Sequence, residues 1–252
     1  MRGQRLHDWK SGSSGKSSSA LAAAALALLG GLNACAPAPR PAAGPAVVPP
    51  VAPQGEAVPA GPAYRIDAAR SELRILVYRS GALARLGHNH VIESHELKGE
   101  VHLTNAGVLD RAAFSLAVPV GGFIVDASAS RREEGADFAS EPSSADIEGT
   151  RHNLLGPGVL DAAAFPTLGV DGTTSVTAAG VTAHARLTVR GRASTLEVPV
   201  TVAPGPHELT IRGGFGVAQS SLGMTPFSVG LGALSVRDQL EVRFTIVAVE
   251  GS

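Results

Sequence analysis

The 252-residue chain carries 21 Lys and Arg against 22 Asp and Glu, a formal net charge of −1, so no bulk field draws in nucleic acid. Aromatic residues, at 4%, are too few for base-stacking platforms. The hydrophobic share of 44% suits a globular core, and a single cysteine excludes an internal disulfide.

Residues 1–16 are polar and basic, with Arg2, Arg5, Lys10 and Lys16 against Asp8, and an Ala/Leu run follows over 20–32. A basic start, a short apolar stretch and small residues before a cut mark an export signal, here 1–34. The run is too short for a membrane span. Leu32-Asn33-Ala34-Cys35 resembles the bacterial lipobox, although Asn33 is an unusual second residue. That resemblance implies lipidation of Cys35, and so an envelope lipoprotein facing the periplasm and held to the membrane by acyl chains. Ala36 stands where inner-membrane retention would place Asp, which favours the outer membrane.

Residues 35–62 are Ala-, Pro- and Val-rich with almost no charge, too proline-rich for a helix or a central strand. In a polyproline-like state, at about 3.1 Å per residue, they form a tether reaching several tens of Å. The folded domain is expected over 63–252.

From there the pattern has period two, which puts alternate side chains on opposite faces of a strand. Strands are expected over 71–79, 88–93, 97–103 and 111–120, with 124–126 continuing the last. Residues 128–166 lose the alternation. A short helix is expected over Ser144–Leu155, capped by Ser143 or Ser144 and stopped by Gly156-Pro157. So long a connection inside a strand array suits a lid over a cavity. Arg131-Arg132-Glu133-Glu134 within it reads as a solvated loop rather than a phosphate clamp. Strands resume at 167–170 and 174–178. Over 181–202, two alternating runs flank a glycine-containing break at Gly191, a β-hairpin with one dry and one wet face. Pro199 cannot donate to a ladder and belongs at a bulge or an edge. Strands over 208–215 and 239–249 complete an all-β array, with a Gly/Ser-rich stretch between them.

Several segments are similar to those of a known family. HARLTVRGRASTLEVPVTV (184–202) resembles the central hairpin of the YceI-like family, and Tyr64-Arg65-Ile66-Asp67 followed by Ser71 resembles its opening strand. Leu160-Asp161-Ala162-Ala163-Ala164-Phe165-Pro166 resembles its turn before the middle strand, and FGVAQSSLGM and VRDQLEVRFTIVAVE resemble its final segment. The resemblance implies an all-β, antiparallel lipocalin-like barrel of about eight strands, with a short helical insertion between the early and middle strands. It also implies an exported, non-enzymatic protein that needs no cofactor and holds a long isoprenoid, such as a polyprenyl quinone or polyprenyl phosphate. The inward set that would line a lipid cavity includes Phe114, Leu116, Leu187, Val189, Val198, Val200, Phe215, Val242, Phe244 and Ile246. Flexible aliphatic walls suit a polyprenyl tail better than a flat ring. Two departures keep headgroup recognition from being carried over. Gln219-Ser220-Ser221 stands where the family often has Arg, and the His88-Asn89-His90 region replaces its Gly-rich second strand.

Two other readings compete. His88 and His90 form an H-x-H pair on a strand, with both imidazoles on one face and Cα atoms roughly 7 Å apart, close enough to share a metal ion. A metal- or cofactor-dependent envelope protein, redox activity included, would be centred there; otherwise His88, His90 or Arg79 orients a ligand headgroup. The other reading is a structural or stress-related envelope module whose apolar residues fill the barrel. His95-Glu96 begins like a zincin motif but has Gly99 where the second His belongs, and no nucleophile elbow or phosphate loop occurs.

Overall fold

The computed structural model describes residues 59–251. The expected export signal 1–34, the lipidation site Cys35 and the tether as far as residue 58 lie outside the described residues. In chain order the strands are β1 (Ala63–Ile66), β2 (Glu72–Val77), β3 (Arg79–Ser80), β4 (His90–Ser94), β5 (Lys98–His102), β6 (Ala113–Pro119) and β7 (Ile124–Val125). Helices α1 (Ser128–Glu133) and α2 (Ser144–Leu155) come next. Then follow β8 (Thr167–Thr177), β9 (Gly180–Val189), β10 (Arg192–Pro204), β11 (Glu208–Ala218), β12 (Ser228–Val229), β13 (Leu234–Val236) and β14 (Gln239–Glu250).

All pairings are antiparallel, in the order β1-β5-β6-β8-β9-β10-β11-β14, and β14 returns to β1 to close a barrel. Closure removes the unpaired edges that an open sheet would expose. β2, β4 and β7 continue β1, β5 and β6 past a break: Arg65 pairs with Glu100 before it, and Leu73 with Ser94 after it. Ser71 mends the first break. Its hydroxyl donates to the Asp67 carbonyl at 2.7 Å and accepts from the Val247 amide at 3.0 Å, standing in for lost ladder bonds.

The chain turns between β9 and β10 at Arg190 (φ 50°) and Gly191 (φ 72°), a two-residue hairpin turn with both φ values positive. Pro199 pairs with Thr182 of β9, and pairing of β10 with β11 begins only at Val200. Its missing N–H therefore falls where β10 has a neighbour on one side, the edge position that proline requires.

Two expectations need correction. The strands expected at 167–170 and 174–178 are one strand, β8, running through Asp171-Gly172. Gly172 does not break it, because β9 and Phe114 press so closely there that a Cβ would lie 2.0 Å from the His184 carbonyl oxygen. The second correction concerns residues 131–134. Arg131 is 4% exposed on α1, and Glu134 is buried between Arg74 and Arg243, so this segment is not a solvated loop. The alternation had vanished because α1 packs on the outside of β4, where charged groups pair with each other.

The helix expected over Ser144–Leu155 is α2, with the same bounds. Ser143 caps it, and Ser143 and Asp146 exchange side-chain-to-backbone bonds as a reciprocal capping box. Arg151 on α2 donates to the carbonyl oxygens of Phe123 and Gly121, which ties the helix to the barrel rim.

The two barrel ends differ. One has short connections, such as Thr177 to Gly180 and Pro204 to Glu208. At the other lie the long ones: 78–89, 126–166 with both helices, and 219–238. There β12, β13 and β3 form a small separate sheet.

Candidate ligand-binding cavity

Inward residues from all around the barrel enclose a cavity of about 340 Å³, within the range of small-molecule sites. Phe114, Leu116, Leu187, Val189, Val198, Val200, Phe215, Val242, Phe244 and Ile246 all line it. The barrel is therefore hollow rather than filled, partly because Ala112, Ala183 and Ala185 occupy inward positions where larger side chains would meet. Leu154 of α2, Val159, Leu160, Met224 and Phe227 close the end that carries the long connections. The 126–166 insertion is thus part of a lid.

Among the described residues no Lys, Arg, Asp or Glu lines the cavity; the polar lining is His90, Thr150, Asn153, Thr174 and Gln219. Thr174 is spent on structure, donating to Leu109 and accepting from the Ala112 amide. Gln219 commits its amide nitrogen to the Arg237 carbonyl at 2.8 Å, which leaves its own carbonyl oxygen for another partner. With Thr150 and Asn153 on α2 and His90 at the start of β4, the polar groups gather at the lidded end. The site is an apolar sleeve with a polar rim.

His90 is oriented by a buried network. Its Nδ1 lies 2.7 Å from Asp126 Oδ2, and the Asp126 side chain is fully buried. Asp126 Oδ1 accepts from the Val91 amide at 2.9 Å and from Arg131 at 2.5 Å. Arg131 also donates to the carbonyls of Asn89 and Ser140. Burial pushes the Asp126 carboxyl upward, but bonds from His90, Val91 and Arg131 outweigh it and hold the group below the usual carboxylate range. With Nδ1 held by Asp126, the remaining His90 nitrogen is Nε2.

His88 precedes β4. Its ring lies edge-on to that of His90, centroids 6.4 Å apart, and its Nε2 is 3.9 Å from Asp146. It does not line the cavity, and neither does Arg79, which donates to the Gly87 carbonyl. Among the described residues, the one group of three side chains with ligand atoms within 4.8 Å of each other is Glu72, Glu93 and His95, which contains neither His88 nor His90. Glu93 there is 5% exposed and accepts from the Ser130 hydroxyl. Asp126 and Arg131 were missed in the sequence. Asp126 follows a two-residue strand, and nothing local ties it to a histidine 36 positions earlier.

A search of curated proteins gives no match. Among solved structures, BcnA of Burkholderia cenocepacia superposes with a TM-score of 0.52 at 18% identity, over 72% of this chain and 98% of that one. The YCEI protein of Campylobacter jejuni gives 0.42 at 8% identity, over 62% of this chain and 82% of that one. The first supports the barrel fold. The model of the YceI-like domain matches residues 64–248, from the first barrel strand into the last. The chain belongs to the YceI-like family.

Proposed function

We propose that this protein binds and carries a long isoprenoid or a related amphiphilic lipid inside the barrel, without catalysing a reaction on it. The observation behind this reading is the cavity itself: apolar along its length, free of charged lining among the described residues, with the polar groups not spent on structure near the lidded end. Burial of the tail drives binding, at about 0.8 kcal/mol per methylene group. His90, Gln219, Asn153 and Thr150 then fix an uncharged headgroup, because desolvating a charge against this lining would go uncompensated. A quinone or an alcohol suits it better than a phosphate. The carrier works in the bacterial envelope, tethered to a membrane through lipidated Cys35.

Titration with a fluorescent polyprenyl analogue tests this reading. Saturable, one-to-one uptake is expected for the wild type, and none for Leu187→Asp in protein that keeps its β-sheet circular dichroism. Equal uptake by the two proteins would place the lipid outside the cavity.

A second reading rests on the Asp126–His90 bond, since a carboxylate on one imidazole nitrogen is the usual way to orient a metal-ligating histidine. It requires stoichiometric metal that is lost in the His88→Ala, His90→Ala double variant. Metal-free protein with full lipid uptake counts against it.

A further inference from the structure

Five of the eight most exposed large hydrophobic side chains among the described residues, Leu83, Leu86, Phe227, Val229 and Leu231, lie on two loops at the lidded end of the cavity. The loops form one platform. β13 pairs with β3, the Leu83 amide donates to the Ala233 carbonyl at 2.7 Å, and Leu234 packs directly over Gly87. The platform presents its apolar groups outward. At the tip of the β12–β13 hairpin, Leu231 is fully exposed, and it holds φ 55° between Gly230 (φ 60°) and Gly232 (φ 89°). A left-handed conformation is strained for a leucine, and the side chain gains no packing in return.

Charge and position narrow the partner. Residues 78–89 and 220–238 carry Arg79, Arg85 and Arg237 against the single acid Asp238, whose carboxylate accepts from both the amide and the hydroxyl of Ser220. Arg85 is exposed between Leu83 and Leu86. Phe227 both lines the cavity and is 41% exposed, so the surface patch and the cavity wall are continuous. An apolar hairpin tip with the exposed Arg85 beside it, continuous with the wall of an apolar cavity, matches the depth profile of a membrane interface. There hydrocarbon lies below and anionic headgroups lie at the level of the guanidinium groups.

We propose that this platform docks on an anionic bilayer surface, with Leu231, Val229 and Leu86 in the acyl boundary and Arg85 at the headgroups, so that the cavity exchanges lipid directly with the membrane. The proposal holds whichever amphiphile fills the barrel.

The test uses the full chain carrying Cys35→Ser, so that no attached lipid contributes, with a polarity-sensitive fluorophore on Leu231→Cys. The same fluorophore on Val176→Cys, at the opposite end of the barrel, is the control. With vesicles of phosphatidylglycerol, docking predicts a blue shift at position 231 and none at 176, and a weaker response with phosphatidylcholine. In the 231-labelled protein, Leu86→Ser with Val229→Ser is expected to lower vesicle affinity by about tenfold or more, and Arg85→Glu to remove the preference for phosphatidylglycerol. Absence of a shift at 231, or equal shifts at both positions, overturns the proposal. So does a shift at 231 that appears without vesicles as protein concentration rises, because the patch would then be an interface between copies of the chain.

Discussion

His90 Nδ1 sits 2.7 Å from Asp126 Oδ2, and the two residues join the wall of an apolar cavity to a buried arginine. Asp126 is the hinge of this arrangement, accepting from His90 with one oxygen and from Arg131 with the other. Arg131 reaches it from α1 and stacks over Phe138 at 5.9 Å. Truncating Arg131 would strand the buried carboxylate without a counter-charge. Arg131→Ala is expected to lower stability by about 3–5 kcal/mol, measured by urea unfolding. A change under about 1 kcal/mol would mean that water replaces the guanidinium.

The same carboxylate sets an acid dependence. Its folded pKa is depressed, so its contribution to stability is present above the unfolded-state value of about 3.9 and is lost as pH falls through the lower folded value. Asp126→Asn keeps the shape but cannot titrate. The stability gap between wild type and Asp126→Asn is expected to stay level above about pH 5 and to shrink as pH is lowered below about 4. A gap that widens on acidification would have the wrong sign for this network.

Space in the barrel depends on small inward residues. Ala185 faces the cavity from β9 and is 8% exposed. Ala185→Phe would fill the sleeve without introducing a polar group. Uptake of the fluorescent polyprenyl analogue should fall by about tenfold or more, each displaced methylene contact being worth about 0.8 kcal/mol, while the circular dichroism spectrum persists. Undiminished uptake in the folded variant would move the binding site elsewhere.

At Gly172 β8 lies hard against its surroundings, with a Cβ placed 2.9 Å from the Phe114 ring as well as against the His184 carbonyl. Because the nearest atom is backbone, side-chain adjustment cannot relieve it. Gly172→Ala is therefore expected to cost about 1–3 kcal/mol and to lower the melting temperature by several degrees. A neutral outcome would show that the two strands can part there.

The strand faces were legible because alternation in a half-buried sheet is written residue by residue. Val181, Ala183, Ala185, Leu187 and Val189 show it within one strand, and all five line the cavity. The cap of α2 was legible for the same reason, since Ser143 and Asp146 are three residues apart. What could not be read locally lies in pairings across the fold. Asp126 meets His90 over 36 positions, and Glu134 meets Arg243 over 109. Neither pair leaves a periodic trace, and Arg131 looks in the sequence like any charged surface residue. Pro199 was readable as an edge residue, but the place where β10 gains its second neighbour came only from the register.

Native mass spectrometry of the protein, purified from a bacterial host without detergent, decides whether the barrel carries a lipid. Spectra taken before and after organic extraction should differ by one apolar molecule with an isoprenoid repeat, recovered in the extract. A bare protein mass in both spectra, with no mass gained after incubation with polyprenol or a polyprenyl quinone, would contradict the carrier account.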